Sequence, residues 1–204
     1  MRKTNLPTGI YGITYDNINL DFVIQTKKMI KLGANIIQIR TSKFSEKELL
    51  RIAKKVKEIC RKNNITLIIN NSVKISRTLN ENIHLGPTDA NPKRIRKEGF
   101  QKIIGYSING SNIFEFTNTE KYVDYFGVGP IFNSQTAPHK APIGLKNAKR
   151  IIKKSKIPVY VIGGINEENL DEILSLNPAG VCLTFRKFIQ NPKLVEKINK
   201  FYRR

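Results

Sequence analysis

The residues with chemistry to offer stand at the ends of short apolar runs. Gln38-Ile39-Arg40 closes one run, with Thr41, Ser42 and Lys43 directly behind it, Asn70-Asn71-Ser72 closes the next, and His84-Leu85-Gly86-Pro87-Thr88-Asp89 a third. Later runs end in Gly105-Tyr106-Ser107, Gly127-Val128-Gly129-Pro130, Gly163-Gly164-Ile165 and Thr184-Phe185-Arg186. Gln38 and Arg40 are two apart, so in a strand they share a face and, pointing inward, need partners. An anionic ligand would supply them: Arg40 can grip phosphate oxygens in bidentate fashion and Lys43 can add a mobile point charge. The competing reading is a structural ion pair.

Gly163-Gly164, between an apolar run and a helix opening near Asn166, suits backbone N–H groups that cradle a phosphate, although glycine pairs also serve as plain tight turns. The hydroxyl-rich segment 133–140 (Asn-Ser-Gln-Thr-Ala-Pro-His-Lys), carrying Ser134, Thr136 and Lys140, reads as a ligand-covering loop. Asp89 is the carboxylate near the ends of the second to fourth runs, and its oxygen suits Mg²⁺ bridging to a diphosphate; helix capping is the alternative. His84 and His139 are the only histidines, which excludes a His-rich metal site, and His84, inside an apolar run, reads as a satisfied core histidine. No Ser-His-Asp order or activated-cysteine context appears.

These groups need a scaffold that brings strand ends together. Apolar runs expected to be strands fall at Gly9 to Tyr15, Ala34 to Arg40, Thr66 to Asn71, Ile83 to Gly86, Lys102 to Ser107, Tyr122 to Gly127, Pro158 to Gly163 and Gly180 to Thr184, with amphipathic stretches between them. The clearest helix is Ser45 to Lys62, where Leu49, Ile52, Ala53, Val56, Ile59 and Cys60 form one face and Ser45 with Glu48 a capping box. Asn91-Pro92 and Asn191-Pro192 each put a capping side chain before a proline at the first helical position. Ser72 to Asn80 and Asn109 to Asn118 read as short helices or loops. Eight β/α units without a linker predict an α/β protein, a single parallel (β/α)8 TIM barrel spanning residues 1–204, with an open doubly wound sheet as the alternative.

The formal net charge of +20 admits nucleic-acid binding, but the lysines are spread over nearly every expected helix, as solvated outer faces are. Specific nucleic-acid binding is therefore disfavoured, and attraction of small anionic substrates is the simpler consequence. No apolar run approaches a membrane span, the beginning of the chain carries no apolar signal region, and Cys60 and Cys182 suggest two buried thiols. A cytoplasmic protein with no membrane partner is expected, and a homo-oligomer remains open.

Taken in order, these strand endings resemble the thiamine phosphate synthase family, tautomerase relatives included, over about residues 9 to 192. Gln38-x-Arg40 resembles its Gln-x-Arg-x-Lys, Ile69-Asn70-Asn71 its Ile-Asn-Asp, and His84-Leu85-Gly86-Pro87-Thr88-Asp89 its His-Leu-Gly-Gln-x-Asp. Gly105-Tyr106-Ser107, the run from Asp124 to Phe132, and Ile162-Gly163-Gly164-Ile165-Asn166 follow in order and spacing. The resemblance implies a transferase of thiamine biosynthesis that joins hydroxymethylpyrimidine diphosphate to thiazole phosphate. It implies that Gln38, Arg40 and Asn70 hold the pyrimidine diphosphate, Asp89 and Asn71 the Mg²⁺, and Ser107 the leaving pyrophosphate, with Lys43 beside them. Ser134, Thr136, Lys140, Thr184 and the backbone at Gly164 are the counterparts for the thiazole phosphate. The departures fall on charge: Asn71 replaces a metal-binding Asp, Pro87 a Gln and Ala137 a Lys, while Lys43 is displaced by one position and Lys140 lies three beyond the lost lysine. Arg186, in a turn that is small and serine-containing in the family, is a candidate replacement for phosphate contact. Three readings follow: a synthase with weakened metal binding, a thiazole tautomerase-like relative, disfavoured by Asn109 where a histidine is expected, or a non-catalytic phosphate-binding barrel.

Overall fold

In the computed structural model, which describes residues 6–16, 18, 20–134, 138 and 141–203, all eight expected strands form. They are β1 (Gly9–Ile13), β2 (Ala34–Ile39), β3 (Thr66–Asn70), β4 (Asn82–Leu85), β5 (Ile104–Ile108), β6 (Tyr125–Val128), β7 (Val159–Val161) and β8 (Gly180–Thr184). Each pairs in parallel with its sequence neighbours and β8 pairs with β1, closing the barrel and removing the open-sheet alternative. The expected strands overran several observed ends by one to three residues. Arg40, Asn71 and Gly86 accordingly lie on the loops just beyond β2, β3 and β4. Tyr122 belongs to a 3-10 turn (Glu120–Tyr122) rather than to β6.

Strand alternation sorts the apolar residues into two layers. Outward-facing Ile10, Ile37, Ile39, Leu67, Ile69 and Val181 pack beneath the helices. Inward-facing Tyr11, Ile13, Ile36, Ile68, Tyr125, Tyr160 and Cys182 fill the barrel. A Cβ on Gly105 would strike the Tyr125 ring, so a glycine in β5 is what lets that ring occupy the axis. At the closed end Tyr160 Oη donates to the Pro7 carbonyl at 2.7 Å.

Helix α1 (Phe22–Lys31) follows β1, and α2 (Glu46–Lys62) has the expected capping box at Ser45 and Glu48. Ser72 to Asn80 contains a true helix, α3 (Val73–Leu79), whose first turn is capped by Ser72 Oγ, and Asn91 caps α4 (Pro92–Lys97) through Lys93 N and Arg94 N. The stretch Asn109 to Asn118 contributes only the start of the single-turn α5 (Phe116–Thr119). α6 (Gly144–Lys154) and α7 (Leu170–Ser175) flank β7. After β8 an unforeseen helix, α8 (Phe185–Gln190), begins without a loop, and α9 (Pro192–Tyr202) completes the described fold. The capping expected of Asn191 is not made: its side-chain amide instead donates back to Lys187 O, because the residue also ends α8. Cys60 and Cys182 are buried free thiols. Among the described residues no helix is long and apolar enough to cross a membrane.

Candidate active site

The open end of the barrel, where the strands' C-termini converge, holds a cavity of about 300 Å³. Gln38, Arg40, Asn70, Asn71, Asp89, Ser107, Ser134, Gly164 and Thr184 all line it. Closure of the sheet thus brings to one space residues spread over 147 positions of sequence, from 38 to 184 inclusive. Thr136 and Lys140, with Ala137, lie outside the described residues.

The β1–β5 side of the cavity is built from side chains bonded to one another. Gln38 Nε2 donates to Tyr11 Oη at 2.7 Å, and Tyr11 Oη lies 2.8 Å from Tyr125 Oη. Tyr125 Oη in turn is 3.0 Å from His84 Nδ1, and His84 Nε2 is 2.8 Å from Ser107 Oγ. Burial, with the positive Arg40 as a lesser cause, pushes the His84 pKa down to about 4, and burial pushes both phenols upward. At neutral pH the chain is uncharged. His84 is the satisfied histidine the sequence suggests, but its ring nitrogen reaches a residue that lines the cavity.

Arg40 makes no ion pair among the described residues, so the structural-pair reading fails for it. Its backbone is pinned instead: Arg40 N donates to Thr14 Oγ1 at 2.9 Å, and that hydroxyl donates to Arg40 O at 3.0 Å. Asp89 does not cap α4, a role that Asn91 takes; one of its oxygens accepts from Gly86 N at 2.5 Å within its own loop. Asn71, in the left-handed region at φ 61°, lines the same cavity. Among the described residues no group of three or more His, Cys, Asp or Glu is placed to hold a metal. The donor set that does meet is one carboxylate and one amide, which suffices for Mg²⁺ only if substrate oxygens and water complete its shell.

Lys43 is not brought to this cavity. Asp16 Oδ2 accepts from Ser42 N at 2.8 Å and Ser42 Oγ at 3.2 Å, and the turn so formed carries Lys43 to a separate groove with Asp16, Leu20, Asp21 and Phe44. Arg186 is likewise turned aside, its Nε donating to Gln190 Oε1 at 3.2 Å. Lys187 lines the cavity instead, a residue the sequence reading missed. Once α8 starts at the end of β8, a residue three beyond Thr184 lies on Thr184's side of the helix, whereas Arg186 does not. Tyr11 and Tyr125 were also missed, since a tyrosine inside an apolar run carries no sign that its hydroxyl faces a ligand space.

The β6–β8 side is mostly backbone. Gly163 and Gly164 have φ 97° and 69°, and a Cβ on Gly164 would come within 2.5 Å of Asn133 O and 2.6 Å of Phe132 Cβ. No hydrogen bond among the described residues claims the N–H of Gly164 or Ile165. Thr184 Oγ1 is buried on the same rim without a partner among the described residues. Unclaimed N–H groups, a hydroxyl in need of a partner and Lys187 together suit a phosphate.

Fold and site define a parallel (β/α)8 barrel with a cavity lined by polar groups at its C-terminal face. The chain belongs to the thiamine monophosphate synthase (TMP-TENI) family, whose pattern matches residues 10–185. The thiamine-phosphate synthase of Caldivirga maquilingensis is 33% identical over 181 residues, covering 87% of each chain, and that of Clostridium novyi 36% over 158 residues, covering 76% of each. A longer thiamine-phosphate synthase, from Prochlorococcus marinus subsp. pastoris, is 36% identical over 171 residues, and the chain spans about half its length (47%). Thiamine phosphate pyrophosphorylase from Pyrococcus furiosus superposes with a TM-score of 0.83 over 96% of both chains at 24% identity, a likeness that supports the fold.

Proposed function

We propose that this protein is a thiamine phosphate synthase, condensing hydroxymethylpyrimidine diphosphate with thiazole phosphate to give thiamine phosphate and pyrophosphate. The observation that carries this reading is the convergence, in a chain of this family, of Gln38, Arg40, Asn70, Asp89, Ser107, Gly164 and Thr184 on one cavity. In the reaction the bond from the pyrimidine methylene to the diphosphate oxygen breaks, and the pyrophosphate keeps the electron pair. The thiazole nitrogen then donates its lone pair to the pyrimidine cation. Negative charge grows on the departing oxygens, where Arg40 and the Ser107 hydroxyl would supply donors. The backbone at Gly164, Thr184, Ser134 and Lys187 would hold the thiazole phosphate; Thr136 and Lys140 belong to the same reading.

Asp89 and Asn71 would hold Mg²⁺, which when bound would neutralise part of the diphosphate charge. An amide in place of a carboxylate leaves the ion less strongly held, so Mg²⁺ affinity and turnover below those of a two-carboxylate site are expected. Asn71→Asp should lower the half-saturating Mg²⁺ concentration roughly tenfold, in line with a charged ligand replacing a neutral one. Titrating Mg²⁺ against the two proteins checks this, and an unchanged midpoint defeats the metal assignment. Two buried, unpaired thiols suit the reducing cytoplasm.

The decisive experiment incubates purified protein with both substrates and Mg²⁺, and separately with the thiazole tautomer alone. Thiamine phosphate from the first mixture supports the synthase. A tautomerase is disfavoured because the Asn109 side chain is engaged by its own turn, its Oδ1 accepting from Ser111 N at 2.9 Å and Ser111 Oγ at 2.6 Å. No product from either mixture under excess Mg²⁺ leaves a phosphate-binding barrel.

A further inference from the structure

The buried chain from Gln38 to Ser107 has a direction, and that direction decides what Ser107 can do. Each phenol has one proton, and the amide nitrogen of Gln38 can only donate. Because Gln38 Nε2 donates to Tyr11, the Tyr11 proton goes to Tyr125, its other hydrogen-bond partner among the described residues. The Tyr125 proton then goes to His84 Nδ1, which leaves the imidazole proton on Nε2, pointing at Ser107 Oγ. Ser107 therefore accepts from His84, and its own proton is left for the cavity that Ser107 lines. The order is that of a neutral imidazole, since a protonated one would leave Tyr125 facing donors on both sides.

We propose that Gln38, Tyr11, Tyr125 and His84 form a positioning relay that aims the Ser107 hydroxyl proton into the cavity, as a hydrogen-bond donor to an anionic oxygen of the departing pyrophosphate. The arrangement is the reverse of a base-activated nucleophilic serine, in which histidine takes the serine proton. With the Gln38 amide turned over, every proton moves one place: His84 carries its proton on Nδ1, and Ser107 spends its proton on Nε2 and shows only lone pairs to the ligand. An anion beside Arg40 is repelled by lone pairs and bound by a proton, which favours the first sense. Donors in series also polarise one another, strengthening the last of them. The relay's catalytic role rests on the synthase reading above; its proton order does not.

Protein carrying heavy-nitrogen-labelled histidine tests the order directly by nuclear magnetic resonance at pH 7, because His84 and His139 are the only two histidines and His139→Gln assigns their signals. The expected result is the Nε2–H tautomer for His84 in the wild type. An Nδ1–H tautomer overturns the relay whatever the enzyme does. Tyr125→Phe, which keeps the ring that fills the barrel, should mix the tautomers and lower kcat roughly tenfold, about the effect of one hydrogen bond, while KM for the diphosphate substrate stays within twofold. Tyr11→Phe leaves Tyr125 with His84 as its acceptor and should keep the tautomer, lowering kcat roughly twofold. Equal effects of the two variants, or an unchanged tautomer in Tyr125→Phe, also overturn the relay. The expected tautomers in a protein that makes no thiamine phosphate uphold the proton order and defeat the synthase reading instead.

Discussion

On the β1–β5 side, with Tyr125 reaching in from β6, the cavity is lined by side chains that hold one another, whereas the rest of the β6–β8 side is lined mainly by backbone. On the first side, the chain from Gln38 through Tyr11, Tyr125 and His84 to Ser107 places polar atoms by mutual hydrogen bonds across the barrel axis. On the second, Gly163 and Gly164 at positive φ present no Cβ, and peptide N–H groups stand beside the Thr184 hydroxyl and Lys187. A side-chain wall can be tuned one substitution at a time. A backbone wall depends on the loops that bend it.

The largest effect is expected on the side-chain wall. Arg40→Ala should lower kcat/KM about 10²–10³-fold, the usual effect of removing a donor where charge develops, and Arg40→Lys should restore only part of that because a point charge lacks the bidentate fork. Steady-state kinetics with the diphosphate varied measures it. An Arg40→Ala enzyme within a few-fold of wild type breaks the contrast between the walls.

The same wall should be the acid-sensitive one. His84 has a folded pKa of about 4 against about 6.5 when exposed, so between those values the unfolded chain binds a proton that the folded chain refuses. Stability is therefore retained above pH 6.5 and falls as the pH drops towards 4, by on the order of 3 kcal/mol from this one group. Urea unfolding of wild type and His84→Gln across that window should show a shallower pH slope in the variant; parallel slopes would remove His84 as the cause.

On the backbone wall, Gly164→Ala puts a methyl against Asn133 O and Phe132 at a φ that L-residues disfavour. KM for thiazole phosphate should rise roughly tenfold while the midpoint for the diphosphate substrate changes little. A loss shared equally by both substrates would mean that the two walls are not separate subsites. The smallest effect is expected at Lys187, a partly exposed cation: Lys187→Ala should raise that same KM about threefold at low salt and less at high salt, with Arg186→Ala neutral. An Arg186 effect equal to that of Lys187 would return the contact to the residue first suspected.

Much of the polar wall was legible because its members close apolar runs at strand spacing. Gln38, Arg40, Asn70, Asp89 and Ser107 could each be named in advance, and all reach the cavity. Lys43 could not be placed, because its direction depends on Asp16, 27 residues earlier, gripping the turn through Ser42. Lys187 was overlooked because an uninterrupted passage from β8 into α8 rotates it inward, and nothing in Thr184-Phe185-Arg186-Lys187 announces a helix start. The capping ambiguity at Asp89 was settled only by Asn91 occupying the cap.

The amino-acid sequence by itself determined the alternation of strands and helices and the strand ends at which polar groups gather, since these follow from local periodicity repeated eight times, whereas closure into a barrel rather than an open sheet came from the pairing of β8 with β1. Only the tertiary structure decided that Tyr11, Tyr125 and His84, at 114 and 41 residues' separation along the chain, join into one proton-ordered line beneath Ser107. Periodicity assigns a side chain to the inner face of a strand; which inner side chains meet across the axis is set by barrel closure and by the space that Gly105 leaves for the Tyr125 ring.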